Sequence, residues 1–522
     1  MKKTKVFFIK IYEIIRWIII TFRHQKKKNF LKKQIIFVEL CTSLTTIKVN
    51  CLLALSLSKN FNLKVIFPSK SLFYESFYRA IGIKNFIYLD QPIDSKIKKK
   101  ITNLWDKIRT SKEFLDFEYE SIRSGKFIAS KILRESVVGK FDFCKIDKNK
   151  IKDYFINSIS KIENFKLILK ENNIQFLIFN ERGYTPAGEI FELALKKKIR
   201  CIQWFGSPID NCHSLKCYTW NMRSDHPLKL LKNSLKRLSD FDKKKKISSK
   251  VMQHLKEQYF KQKGFNRQNL QKNKIILNKF ELKEKLKISN NFKICTIFTH
   301  IFDDATFFYG DSLFSSYEDW LKNILIFTKN KKDINWIVKV HPANELRHGV
   351  SLEEKLIDQI YKKIPKNVKI IKPSSNINTF SFFESTDVAL TVRGTVGCEL
   401  ACFGVPVITA GTGRYSHQGF TLDPKTKKEF FNYLNNINNI KKISSKKIKL
   451  ARIYTYGSLI GRSIKMDGIN INYNYNGISL EKSNVVEIPK TYDELIKKSD
   501  IKKIIYWIKN KSFEDLMDLE QG

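Results

Sequence analysis

The sequence holds no Cys-x-x-Cys pair, little arginine, about half as many acidic as basic residues and no long uncharged apolar run. Each shortage excludes something. The nine cysteines (41, 51, 144, 201, 212, 217, 295, 398 and 402) lie mostly in apolar segments, as buried free thiols do. Cys212 and Cys217 are five apart, a spacing that suits neither a zinc ribbon nor a disulfide framework, and a reducing cytoplasm is the expected compartment. The formal charge of +45 invites a nucleic-acid reading, yet about 80 of the 96 Lys+Arg residues are lysine. Arginine, the better reader of bases and phosphates, is scarce, and the lysines are spread along helix faces and connecting segments. No nucleic-acid partner is expected, whereas a general attraction to anionic surfaces is.

The N-terminal stretch VFFIKIYEIIRWIIITFRHQKKK is apolar but broken by Lys10, Glu13 and Arg16. A spanning helix needs about 20 largely uncharged residues, and a secretory signal needs a small-residue cleavage site that is not seen here. Residues 1–33 read instead as an amphipathic helix. It either lies on the anionic inner face of the cytoplasmic membrane, with Trp17 at the interface and Lys26 to Lys28 flanking, or packs on the rest of the protein.

With 522 residues and 43% hydrophobic content, the chain suits two or three domains with sizeable cores. From residue 34 onward, apolar runs of five or six residues alternate with helical segments: QIIFVEL, then LKVIFPS, then NFIYLD. This is the pattern of βαβ units and a parallel sheet. It fills 34–228, interrupted by a lysine-rich helical insertion over 93–172. After a charged helical linker, 229–290, it resumes over 291–445 and leaves a helical segment, 446–522. The expected fold class is α/β, with two tandem Rossmann-like, doubly wound domains. Ligands of such sheets bind beyond the carboxyl ends of the strands, and two facing sheets enclose a cleft. Asp240 and Asp242 have the DxD spacing of a metal-bound nucleotide site, but they sit in a solvated lysine run, so no metal site is expected there.

The most informative stretch is TVRGTVGCELACFGVPVITAG, residues 391–411. A strand stops on Arg393, Gly394 and Thr395, and a helix begins through Val396, Gly397 and Glu399. Glycines let the backbone approach a ligand, and a helix start favours an anion. Arg393 suits a bidentate phosphate contact. The Glu399 carboxylate would repel a phosphate and fits the hydroxyl pair of a ribose better. The following loop, AGTGRYSHQGF, adds Arg414 and His417, and strand NWIVKV ends on His341-Pro342. Three such loops on one rim point to a nucleotide-containing ligand.

WIVKVHPANE followed by STDVALTVRGTVGCELACFGVPVITAGTGRYSHQGFT resembles the capsular and surface polysaccharide biosynthesis proteins of bacteria, a set that includes Kdo-transferase-like enzymes. The resemblance is specific over about 335–421 and implies a two-Rossmann GT-B glycosyltransferase. It implies a nucleotide-sugar donor on the C-terminal domain, a glycan or lipid-linked glycan acceptor on the N-terminal one, and no resident cofactor or required metal. It assigns His341 to a donor phosphate, Thr395 and Gly397 to a phosphate cradle, Glu399 to the ribose and His417 to the loop near the donor sugar. Arg393-Gly394 stands where Ser-Ser or Ser-Thr is commoner, which leaves UDP, GDP and CMP open as the nucleotide.

Departure of the nucleotide needs positive charge, for which Arg393, Arg414 and His341 are candidates. A base near the acceptor hydroxyl is sought first at Glu181 or Asp304, with His300 and Asp303 close by in sequence. Two other readings remain: a nucleotide-sugar 2-epimerase of the same fold, and a non-catalytic assembly or export protein.

Overall fold

Short runs of Ile, Val, Leu and Phe with both faces apolar can be satisfied only inside a covered sheet. In the computed structural model they form two such sheets, one in each of two compact units. The structure describes residues 2–22, 34–39, 43–261, 270–271, 273–343, 351–472, 485–510 and 515–519. The first unit comprises Met1–Ile128, Phe143–Arg223 and Arg462–Asp518, and the second Ala129–Asp142, Ser224–Gly461 and Leu519–Gly522.

In the first unit the strands are β1 (Gln34–Val38), β2 (Asn62–Phe67), β3 (Phe86–Tyr88), β4 (Ile174–Phe179), β5 (Arg200–Gly206) and β6 (Cys212–Tyr218). They lie in the order β3-β2-β1-β4-β5-β6, parallel except for β6. The second unit has β7 (Ile294–Phe298), β8 (Asn335–Lys339), β9 (Val368–Ile371), β10 (Val388–Thr391) and β11 (Val407–Thr409). Their order is β9-β8-β7-β10-β11, all parallel. Both units therefore begin mid-sheet, wind to one edge and return to build the other half. This is the doubly wound arrangement that the alternation of strands and helices implied, with a crevice where the winding reverses, at β1/β4 and again at β7/β10.

Helices cover these sheets according to their apolar faces. Helix Leu44–Leu57 has apolar residues on every side, opens on a Ser43 cap and is buried along nearly its whole length, Lys48 and Asn50 included. The N-terminal helix Lys2–Thr21 docks against helix Leu72–Ala80. Of the two readings left open for this helix, packing on the protein holds for Trp17, which is only 1% exposed and donates its indole N–H to the Phe77 carbonyl at 3.1 Å. Glu13 forms a buried ion pair with Lys48 at 2.5 Å. A carboxylate on an apolar helix is costly unless paired, and the pairing fixes the helix against the unit. The flanking Lys26 to Lys28 lie outside the described residues. Among the described residues, no helix is long and apolar enough to cross a membrane.

Two expected boundaries move. Residues 229–290 do not form a free linker: helices Lys232–Lys245, Ile247–Phe260 and Lys279–Leu286 belong to the second unit. Tyr259 and Leu282 point inward into its core, while Phe260 and Phe280 stay exposed. Asp242 of the DxD pair accepts the Ser248 N–H at 2.8 Å and pairs with Lys449 at 3.0 Å, so it serves packing rather than a metal. Residues 446–522 are likewise not one helical segment. Helix Ser445–Tyr456 stays with the second unit, whereas β12 (Ile464–Lys465) pairs antiparallel with β6, and Ile501, Ile504 and Trp507 complete the first core. The insertion 93–172 is helical, with its longest helix at Lys148–Glu171.

Helix Ala187–Lys196 buries Glu189, which contacts Ser158. Burial pushes this carboxyl up from 4.5 to about 7. An acid with a raised folded pKa binds protons more tightly when folded, so its contribution to stability is complete below about 4.5 and is lost as pH rises through about 7. Urea unfolding between pH 5 and 8 is expected to show wild-type stability falling relative to Glu189→Gln, whose profile should be flatter across that window.

Candidate functional site

The crevice at β7/β10 carries the polar residues of the second unit. His300 lies just beyond β7, and Arg393 just beyond β10. The His300 Nε2 sits 3.0 Å from the Thr391 hydroxyl and accepts the backbone N–H groups of Val392 at 3.2 Å and Arg393 at 3.3 Å. Its ring stacks on Tyr317 with centroids 4.5 Å apart. Burial, followed by the positive charges of Arg393, His341 and Arg414, holds this imidazole well below its ordinary pKa. A neutral ring accepting at Nε2 carries its proton on Nδ1. His300 is therefore a post that fixes the turn after β10.

That turn aims Arg393, which is 4% exposed. Its Nη2 donates to the Ser312 hydroxyl at 2.7 Å and the Asp311 carbonyl at 3.3 Å. Nε and Nη1 are buried and have no hydrogen-bond partner among the described residues. Arg414, just beyond β11, donates through Nη1 to the Thr395 hydroxyl and lies against His226 Nε2 through Nη2. Its Nε is also buried without a partner among the described residues. Burial lowers its pKa, although a guanidinium stays charged at neutral pH. His341, after β8, donates its backbone N–H to Thr299, and its Nδ1 accepts the Ala343 N–H at 3.2 Å. The neutral ring thus carries a proton on Nε2. Four adjacent strands, β11, β10, β7 and β8, in this way bring Arg414, Arg393, Thr395, His300 and His341 to one rim.

The two glycines work differently from the expectation. A Cβ at Gly397 would lie 1.9 Å from the Tyr415 hydroxyl, which itself donates to the Gly394 carbonyl at 2.6 Å. The Gly397 N–H closes the turn on that same carbonyl at 3.0 Å. Gly394 abuts the Thr391 side chain, at 2.9 Å from a built Cβ. Close packing of Tyr415 therefore requires Gly397, and its N–H is engaged within the turn rather than offered to a phosphate. Glu399 is 1% exposed and accepts the Tyr259 hydroxyl at 2.7 Å, so a ribose would meet a carboxylate already oriented from behind.

The remaining candidates are dispersed. Asp304 follows β7 in a turn, its N–H bonded to the Ile301 carbonyl, and the neighbouring Asp303 is 1% exposed. His417 is exposed, has a left-handed backbone (φ 63°) and donates its N–H to Asp423. Glu181 belongs to the first unit, just beyond β4, and its Oε1 accepts the N–H groups of Arg182 and Gly183. Among the described residues no group of three or more His, Cys, Asp or Glu is placed to hold a metal ion, and the described cysteines are free thiols. Sequence reasoning missed His226, Ser312 and Tyr259. His226-Pro227 repeats the His341-Pro342 dipeptide and was the available signal; Ser312 and Tyr259 carry none.

Gly397→Ala should destabilise the protein without any ligand by ~1–3 kcal/mol, the usual cost of forcing an atom into a packed site. Chemical denaturation in the absence of nucleotide checks this. A change within about 0.5 kcal/mol would return Gly397 to ligand contact alone.

The sequence profile described as "Capsule polysaccharide biosynthesis protein" matches residues 224–446. The match starts two residues before His226, and the second unit's main stretch, Ser224–Gly461, contains all of it. No curated protein matches significantly. Similar solved structures include a KpsC β-Kdo 2,4 transferase of Thermosulfurimonas dismutans, at 11% identity and TM-score 0.31, covering 54% of this chain and 79% of that one. They also include a UDP-GlcNAc 2-epimerase of Neisseria meningitidis (12% identity, TM-score 0.27, 82% and 97% coverage) and Anabaena HepE with UDP and glucose (11%, 0.26, 82% and 95%). TM-scores this low carry no functional argument. Over residues 224–446 the chain is thus similar in sequence to the family described as capsule polysaccharide biosynthesis proteins.

Proposed function

We infer that the protein is a glycosyltransferase using a nucleotide-activated sugar in bacterial capsule or surface polysaccharide biosynthesis. One observation carries this reading: two guanidinium groups, Arg393 after β10 and Arg414 after β11, stand on one rim of a doubly wound sheet, with buried nitrogens left unpartnered among the described residues. Burying such donors is costly unless an anion completes them. A donor phosphate is the ligand of matching charge and geometry.

In the proposed reaction the acceptor hydroxyl oxygen bonds to the anomeric carbon as the bond from that carbon to the nucleotide phosphate oxygen breaks. The hydroxyl proton passes to a base, with Glu181 and Asp304 as the candidates. The electron pair leaves on the phosphate, where Arg393, Arg414 and the His341 Nε2–H stabilise it. These cations support a metal-independent departure. Thr395 positions Arg414, Glu399 holds the ribose hydroxyls with Tyr259 behind it, and His417 stands in the loop next to the donor sugar. His300 is assigned to holding the turn, because its Nε2 is occupied by backbone donors. A glycan or lipid-linked glycan is the proposed acceptor, and the cytoplasm, at the inner face of the membrane, the proposed compartment.

A thermal-shift screen across UDP, GDP, CMP and their sugars is expected to find one nucleotide that raises the melting temperature by mass action. Arg393→Ala should weaken its binding by ~1.5–3 kcal/mol, as the loss of charge-assisted hydrogen bonds does, and Glu399→Gln by about 1–3 kcal/mol. A flat screen removes the donor-site reading. Binding with formation of an epimer when no acceptor is present would favour the epimerase, and binding with neither product would favour an assembly role.

A further inference from the structure

The N-terminal helix has one face that the fold uses and one that it leaves bare. Glu13, Trp17 and Thr21 are buried against the first unit. On the other side, Phe8, Ile11, Tyr12, Ile15, Ile19 and Phe22 are 37–70% exposed. At 3.6 residues per turn these six fall within an arc of roughly 100°, a continuous apolar stripe some 20 Å long. Scattered exposed apolar residues are ordinary; a stripe confined to one helix face marks an interaction surface.

We propose that this stripe docks the protein on the surface of an anionic lipid bilayer, with the helix axis in the membrane plane. Charge selects the partner. Lys2, Lys3, Lys5, Lys10 and Arg16 are the basic residues of the helix, and its single acid, Glu13, is consumed in the buried ion pair with Lys48. Arg16 lies at the border of this stripe, whereas the Lys10 ammonium sits over the Phe73 ring at 5.0 Å on the packed side, and the chain as a whole carries a net charge of +45. That combination is complementary to acyl chains beneath anionic headgroups. A second copy would set the same positive border against itself, which disfavours self-association. Phe8, Tyr12 and Phe22 supply aromatic rings suited to the headgroup level. Trp17 takes no part, since its indole is buried and bonded to Phe77. The docked face is therefore rotated about half a turn from the one that a Trp17 anchor would imply. Because Trp17 and the Glu13–Lys48 pair lock the helix to the first unit, docking also orients that unit on the membrane rather than tethering it loosely. The inference is independent of the donor-site reading.

The test is co-sedimentation of the full chain with vesicles of phosphatidylcholine containing one third phosphatidylglycerol, and with vesicles of phosphatidylcholine alone. The wild type is expected to partition at least about tenfold more strongly onto the anionic vesicles. Ile15→Asp combined with Ile19→Asp, both pointing away from the fold, should abolish that partitioning with an unchanged melting temperature. An Arg16→Glu variant, with the stripe intact, should lose most of the preference for anionic lipid. Wild-type protein left in the supernatant, or vesicle binding unaffected by the Ile15/Ile19 pair, would overturn the proposal. So would a wild-type dimer that the same pair dissociates, because a second copy would then cover the stripe.

Discussion

The second unit is organised around a guanidinium group kept out of water. Arg393 stands on a turn only a few residues long, and the turn is held from three directions. His300 accepts its backbone N–H groups, Tyr415 bonds the Gly394 carbonyl across the glycines, and Ser312 holds one edge of the guanidinium. Each support comes from a different strand or loop. Those supports hold the buried guanidinium in place, while its Nε and Nη1 have no hydrogen-bond partner among the described residues.

Parallel winding explains why these supports meet. In a doubly wound sheet every strand delivers its following loop to the same end, and the reversal of strand order opens a crevice between two of those loops. β7 and β10 flank that crevice and carry His300 and Arg393, while β11 and β8 contribute Arg414 and His341 from either side. The first unit repeats the plan at β1 and β4, where Glu181 follows β4.

Much of this was legible in the chain itself. Runs such as KICTIF and VALTV can only be interior strands, and the helical spacing between them sets a parallel sheet. His341, Arg393, Thr395 and Arg414 were identifiable because each lies in a loop that follows a strand. The linker was misread because lysine is abundant in it, and the C-terminal segment because its strand β12 is only two residues long. Composition reports the solvated face of a helix; Tyr259, Leu282 and Trp507 report the buried one, and single apolar residues at helical spacing are easily lost among charges. The solvated run expected at the DxD pair holds for Asp240 only, since spacing does not say that Asp242 turns inward to accept the Ser248 N–H.

By itself, the sequence determined two doubly wound units, the rim on which the polar loops lie and an N-terminal helix too charged to cross a membrane, because strand order and hydrophobic period follow from local pattern. Only the tertiary structure decided what each residue at that rim does. It turned Gly397 from a ligand contact into the seat of Tyr415, and His300 from a possible base into a backbone acceptor. It placed Tyr259 behind Glu399 from 140 residues away, and it buried Trp17 so that the opposite face of its helix is the exposed one. These outcomes depend on contacts between residues far apart in the chain, and no local pattern encodes which of two faces will find a partner.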